Sequence, residues 1–404
     1  MSEVYIVGAK RTPIGSFLGA LKDVSAGELG SYTIKGVLEQ SGINAGDLDE
    51  IVLGNVLPAG QGQGVARQAA IYAGVPISVP AYSLNMVCGS GLKTVMNAYV
   101  GIKAGEYQAV IAGGVEVMSQ APYLLPDRLR NGQKMGGFQV KDHLVDDALT
   151  DAFEGHHMGM TAENIVDQFG LTREEQDAFA WESQQRAISA VDAGAFEAEI
   201  VPVETKVRRQ SVTVAQDEYP NRLTNLEKLG TLRPAFKKEG SVTAGNASGI
   251  NDGASATLLV SEAFMAANGL TPLAKVVAIG QGGVDPSVMG LGPTPAIKQA
   301  LKKSGLTFTD IDVFELNEAF AAQSLGVIQE LTEAFSVTKE YMLERTNVNG
   351  GAIALGHPVG ASGNRILVSL IHIMKQRKLK YGLASLCIGG GMGAAVIVQN
   401  PEVE

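Results

Sequence analysis

Cysteine is scarce in this chain, with only Cys88 and Cys387 among 404 residues, both in glycine-rich surroundings. A disulfide scaffold is thereby excluded, and a reducing compartment is the expected setting. Positive charge is in deficit: Lys and Arg number 32 against 42 Asp and Glu, for a net charge of -10. No global basic field would recruit nucleic acid or an anionic membrane, so any anionic ligand must be held by a local cluster. No run approaches the roughly 20 apolar residues of a membrane-crossing helix. The start, MSEVYIVGAKRTPIG, has neither the apolar core nor the cleavage site of a secretory signal, and a cytoplasmic protein is expected. There is no GK[ST] phosphate loop and no metal-ligand spacing. Gly389, Gly391 and Ala394 match a dinucleotide fingerprint in spacing, but AAVIVQ behind them reads as a strand where that motif must open a helix.

Apolar residues make up 45% of the chain and glycine contributes 49 positions, against 18% charged residues. This balance fits a tightly packed α/β enzyme, and the length suggests about two to three domains. Strand-like and helix-like segments alternate: Val4 to Gly8, Ser25 to Gln40, Ile51 to Leu57, Gln61 to Ala73, Tyr82 to Val87, a helix from Gly89, and Ala109 to Gly113. Such alternation implies parallel strands joined by crossover helices. From Gln120 to about Gly249 the chain turns richer in charge, Pro and Met. It contains a helix from Arg173 to Asp192 entered by Thr172 with Glu175 three residues on, a capping-box pattern. It also gathers Lys206, Arg208, Arg209, Arg222 and Lys228. After Ala254 the alternation resumes to the C-terminus. The expected organisation is two α/β halves, 1–119 with 250–273 and 274–404, flanking an insertion at 120–249. No convincing residue-level repeat relates the halves.

The candidate nucleophile is Cys88 in NMVCGSGLK. The apolar positions Leu92, Val95, Met96, Tyr99 and Ile102 recur at helical spacing, which places the thiol at a helix start. There the helix dipole and unpaired N–H groups favour a thiolate, and Gly89 and Gly91 leave room for a ligand. A free cysteine is otherwise a small apolar filler. The second half offers Asn317 in ELNEAFA where a strand hands over to a helix, His357 in NGGAIALGHPVGASG, and Cys387 in SLCIGGGMG at a strand end. Ends of strands are where α/β folds place ligands.

Taken in order, NMVCGSGLK, NASGIND, ELNEAFA, NGGAIALGHPVGASG and SLCIGGGMG resemble the thiolase family along essentially the whole chain, and its short-chain acetoacetyl-CoA members in particular. The resemblance implies a thiolase-like fold, two similar α/β halves in αβαβα layers with an inserted loop domain. It implies an acetyl-CoA C-acetyltransferase that joins two acetyl-CoA into acetoacetyl-CoA and CoA. By resemblance Cys88 is acylated, His357 activates it, and Cys387 is the second acid/base. Asn317 would hold a water that forms one oxyanion hole with His357, and the N–H groups of Cys88 and Gly389 would form another. His157, Ser248 and Arg222 are implied to meet CoA, with Asn221 intervening where relatives have Arg directly after DEYP. Met158 and Met289 would narrow the acyl pocket. No cofactor is implied, because CoA is substrate and product. RLRNGQKMGGF (128–138) resembles the hairpin that joins dimers into a homotetramer, and 329–346 reads as a longer surface connection without catalytic role. Two alternatives are a broad-range degradative 3-ketoacyl-CoA thiolase and a catalytically silent acyl-CoA or lipid-binding relative.

Overall fold

The pairing of the strands shows a repeat that the residues conceal. The computed structural model describes residues 2–207 and 210–403. A first group of strands comprises β1 (Val4–Arg11), β2 (Glu50–Gly54), β3 (Ala81–Leu84), β4 (Ala109–Val117) and β5 (Asn251–Ser261). They lie in the order β3-β2-β4-β5-β1, with β2 parallel to both neighbours and β5 antiparallel to both of its own. A second group comprises β6 (Ala274–Gly283), β7 (Val313–Leu316), β8 (Tyr381–Ile388) and β9 (Met392–Gln399). Its order β7-β8-β9-β6 repeats the same directions, and Thr346 bridges in parallel to Phe314 at the place that β3 takes in the first group. Tyr5 and Ile6 pair with Lys275 and Ala274, which joins the groups, with the two-residue strand Gly15–Ser16 paired to β5, into one ten-stranded sheet.

Helices of eight or more residues are α1 (Ala26–Ser41), α2 (Val65–Tyr72), α3 (Ser90–Ala104), α4 (Met158–Phe169), α5 (Arg173–Asp192), α6 (Pro293–Ser304), α7 (Ala321–Phe335) and α8 (Val359–Arg377). Helices α3 and α8 pack on each other between the two strand groups, sharing one core with Val52, Val110 and Leu259 on one side and Val313, Ala384 and Val396 on the other. Accordingly α8 is buried all round from Val359 to Met374, as a central-layer helix must be. Helices α1 and α2 cover the outside of the first group and α6 and α7 that of the second. This is the αβαβα layering expected. Close approach in the middle layer needs glycine: a Cβ on Gly114 would stand 1.9 Å from the Gly360 carbonyl oxygen.

The segment 120–249 is held by a buried ion cluster. Arg11 at the end of β1 is fully buried, with Nε donating to Glu199 at 2.5 Å and its two terminal nitrogens donating to Asp217 at 2.6 and 2.9 Å. Both helix starts with a Ser/Thr-x-x-Glu pattern are capping boxes, Ser25 with Glu28 on α1 and Thr172 with Glu175 on α5. The expected strand Tyr82–Val87 ends earlier, at Leu84, because the chain turns before the cysteine. The helix that follows Asn317 begins at Ala321, after an extended approach at Phe320. The connection at 329–346 is more than surface: a short helix, Lys339–Arg345, buries Met342 in the outer core of the second half.

Candidate active site

Cys88 sits on a strained turn. Val87 has φ +45°, rare for a β-branched residue, and the turn is held by Asn85 Oδ1 accepting from the Val87 N–H at 2.9 Å. Ser90 Oγ accepts from the Met86 N–H and donates to the Val87 carbonyl. The sulfur thus stands just before α3 and faces a cavity of about 470 Å³ that His357 also lines. Burial pushes its thiol up to about 11; the N–H groups of Gly389 and of Cys88 itself pull the other way, and Glu116 adds to the rise. The helix start therefore does not make a resting thiolate, since desolvation outweighs it. The thiol needs a base.

His357 is positioned to be that base. Its backbone N–H donates to Asn251 Oδ1 at 2.9 Å, and its Nδ1 lies 2.6 Å from Ser362 Oγ. The Ser362 hydroxyl donates to the Pro358 carbonyl, so Nδ1 carries the proton and Nε2 keeps its lone pair. Nε2 has no partner among the described residues. Burial, with help from the Arg365 charge, pushes the imidazole down to about 4, so it is neutral at pH 7. The motif held the identity of this residue; its tautomer depended on Ser362, which no sequence pattern had singled out.

Cys387, at the end of β8, is buried beside Met158, Met289 and Phe320. Burial pushes its thiol well above the usual range and the nearby Cys88 adds to this, so it rests protonated. Asn317 follows β7 and is buried with both side-chain polar atoms unpartnered among the described residues. Gly389 is close to Cys88 through its N–H, and a Cβ there would lie 3.7 Å from Met158 Sδ. Asn317 and Cys387 thus stand at strand ends, and none of the three residues lines the cavity shared by Cys88 and His357.

His157, Met158, Ser248 and Met289 all line the same cavity. His157 caps α4, its Nδ1 accepting from the Gly159 N–H at 3.0 Å, and burial holds it neutral. Its ring stacks on Phe236 at 4.5 Å between centroids, and Phe236 meets Phe320 edge-on. Phe236 and Phe320 were missed in the sequence; RPAFKKEG carries no local signal, and ELNEAFA drew attention to its asparagine. A second cavity of about 640 Å³ shares Ser16, Tyr219 and Ala244 with the first and continues to Asn221, Lys228 and Leu232. Arg222 lines neither cavity: its exposed guanidinium pairs with Asp192. The expectation of Arg222 at the ligand is corrected by this pairing; the exposed Asn221 beside it lines the second cavity instead. Arg208 and Arg209 lie outside the described residues.

Residues 4–263 match the thiolase N-terminal domain and residues 270–400 the thiolase C-terminal domain. The chain belongs to the thiolase family. This thiolase is 53% identical over 404 residues, all of both chains, to a probable acetyl-CoA acyltransferase of Staphylococcus epidermidis. It is 50% identical to the acetyl-CoA acetyltransferase of Escherichia coli, over 99% of this chain and 100% of the relative. Its structure is similar to that of the Syntrophomonas wolfei acetyl-CoA acetyltransferase, with a TM-score of 0.95, 43% identity and coverage of 99% and 100%. It is also similar to human mitochondrial 3-ketoacyl-CoA thiolase in complex with CoA, with a TM-score of 0.92, 42% identity and coverage of 99% and 98%. The thiolase is an acyltransferase enzyme.

Proposed function

We propose that the thiolase interconverts two acetyl-CoA with acetoacetyl-CoA and CoA, through an acetyl group carried on Cys88. The observation that carries this reading is that the Cys88 thiol and a neutral His357, whose buried Nε2 has no partner among the described residues, line the same cavity. In the cleavage direction His357 Nε2 takes the Cys88 proton and the sulfur attacks C3 of acetoacetyl-CoA. The C2–C3 bond breaks, its electron pair passes to C2, and the Cys387 S–H delivers the proton that completes acetyl-CoA. The thiol of CoA then restores the Cys387 proton and attacks the acetyl thioester, while Cys88 leaves and recovers its proton from His357. Atoms and charges balance over the cycle, which runs backwards as a condensation. Two half-reactions through one covalent intermediate give ping-pong kinetics.

The N–H groups of Cys88 and Gly389 act as one set of oxyanion donors. Asn317, by its unpartnered amide, holds a water that serves with His357 as the other. Each such donor contributes a factor of about 10² to 10³. CoA enters as a substrate, its pantetheine beside His157 and Ser248 and its nucleotide end in the cavity at Asn221 and Lys228. Met158, Met289 and Phe236 close the acyl end and restrict it to short groups. The segment 120–249 works as the CoA-binding and assembly unit between the halves 1–119 with 250–273 and 274–404.

Two exposed apolar patches support a homotetramer. One is on the loop 123–140, where Met135 is 91% exposed beside exposed Tyr123, Leu125 and Phe138; the other surrounds the sheet-edge strand β3, where Ile77 is 83% exposed with Tyr72 and Val100. No helix among the described residues is long and apolar enough to cross a membrane, and the reading places the enzyme in the cytoplasm.

The test is CoA-dependent thiolysis of acetoacetyl-CoA against a 3-ketoacyl-CoA of about eight to ten carbons; a single missing or extra methylene is worth roughly 10- to 200-fold in such a pocket. High activity on the short substrate alone is expected. Comparable activity on both would make it a broad-range thiolase, and activity on neither would leave a binding protein.

A further inference from the structure

The repeat in the fold identifies a partner for the catalytic cysteine that the mechanism does not use. In the first half Gly54 pairs with Gly114 and Asn55 follows; in the second Leu316 pairs with Ser385 and Asn317 follows. Two residues further along the partner strands stand Glu116 and Cys387, opposite Gly253 and Gly393 on the next strands. The pair Asn55 and Glu116 is thus the counterpart, in the first half, of the pair Asn317 and Cys387.

Glu116 is completely buried. Its Oε1 accepts from Asn55 Nδ2 at 3.0 Å and the Leu57 N–H at 3.1 Å, and its Oε2 accepts from the Val56 and Gly360 N–H groups, both at 2.9 Å. Four donors and no acceptor surround the two oxygens, which is the environment of a carboxylate and not of a carboxylic acid. Burial raises it to about 7 and Asp252 adds to this, but the backbone donors oppose the rise, and the all-donor shell makes the ionised form the one that fits at neutral pH.

The contacts join three parts of the site. Val56 and Leu57 pack with Val359 and Cys88 in one apolar cluster. Gly360 lies in the first turn of α8, three residues after His357. A Cβ on Gly360 would stand 2.5 Å from Glu116 Oε2, so the carboxylate fills the gap between β4 and the start of α8. A negative charge at a helix start is also favoured by the helix dipole.

We propose that Glu116 is a positioning residue for the acyl transfer, holding the start of α8 against the 55–57 turn so that His357 Nε2 stays within reach of the Cys88 sulfur. This rests on the acyl-Cys88 reading above. Glu116 lines neither cavity. A misplacement of about 1 Å at a reacting pair costs on the order of 10²-fold in rate.

The test uses the full-length enzyme with acetoacetyl-CoA and CoA. Glu116→Gln keeps the shape but turns an amide donor onto N–H donors. It should lower kcat by about 10- to 100-fold with KM changed by less than about threefold, and slow the single-turnover acetylation of Cys88 to the same degree. Glu116→Asp, which keeps the charge, should recover part of kcat. Asn55→Ala removes one donor of four and should lower kcat less, in the same direction; it decides the matter if Glu116→Gln does not fold. A fall in melting temperature with kcat unchanged within about twofold would overturn the proposal, as would a loss confined to KM. Wild-type enzyme without thiolysis activity would instead overturn the reading on which the proposal rests.

Discussion

At the scale of the residue, the site separates two thiols and a base by burial. Cys88 is a thiol pushed up to about 11, and His357 an imidazole pushed down to about 4, so both rest neutral and charge appears only during transfer. The pH dependence follows with a definite sign. His357 remains unprotonated as pH falls from 7 toward 5, so kcat/KM shows no acid limb near 6.5 from this residue and declines about tenfold per unit only below about 4. A limb near 6.5 in a pH-rate profile would contradict the desolvated histidine. The same group makes stability pH-dependent: the unfolded chain binds the proton near 6.5 and the folded chain near 4. Stability from this source is present above about 6.5 and is lost as pH falls through that window, which denaturant midpoints at pH 7 and 5 would show. Met289 is buried against Cys387 and Met158. Met289→Ala should improve the kcat/KM ratio for a longer 3-ketoacyl-CoA over acetoacetyl-CoA by about tenfold or more, measured by thiolysis of both. The residue identities at Cys88, His357, Asn317 and Cys387 were legible because each lies in a long local motif. Their ionisation was not, because it comes first from burial by packing of both halves, with the Arg365 charge adding at His357 and Glu116 at Cys88.

At the scale of the element, helices were the more legible. The helix Arg173–Asp192 was read to the residue because Thr172 and Glu175 mark its start locally. Strand ends were read less well: Tyr82–Val87 looked like one apolar run, and only the positive φ at Val87, imposed by the turn that presents Cys88, ends the strand at Leu84. The duplication was invisible for a chemical reason: equivalent positions carry Glu116 in one half and Cys387 in the other, and only strand register relates them. The insertion is tied to β1 by an ion cluster whose members lie about two hundred residues apart, beyond any local pattern. Asp217→Ala leaves Arg11 buried with one carboxylate partner fewer, and should cost about 3–5 kcal/mol in denaturant unfolding. A loss below about 1 kcal/mol would mean that the cluster does not fasten the insertion.

At the scale of the whole molecule, two halves of the same topology face each other across α3 and α8, and each central helix begins beside one of the residues proposed to be catalytic, Cys88 or His357. Composition and alternation indicated only an α/β chain in two halves; the layers were implied by the family resemblance, and this convergence is seen only in the structure. The proposed tetramer uses the exposed loop 123–140: Met135→Glu should convert tetramers to dimers in light scattering while thiolysis per chain stays within about twofold, since Met135 lines neither cavity. An unchanged mass would remove this loop from the interface. The account stands most directly on the covalent intermediate. Incubation with acetyl-CoA alone, followed by intact-mass and peptide analysis, should show one acetyl group per chain, on Cys88, and none in Cys88→Ala. An unmodified wild-type chain, or an acetyl group on Cys387 instead, would contradict it.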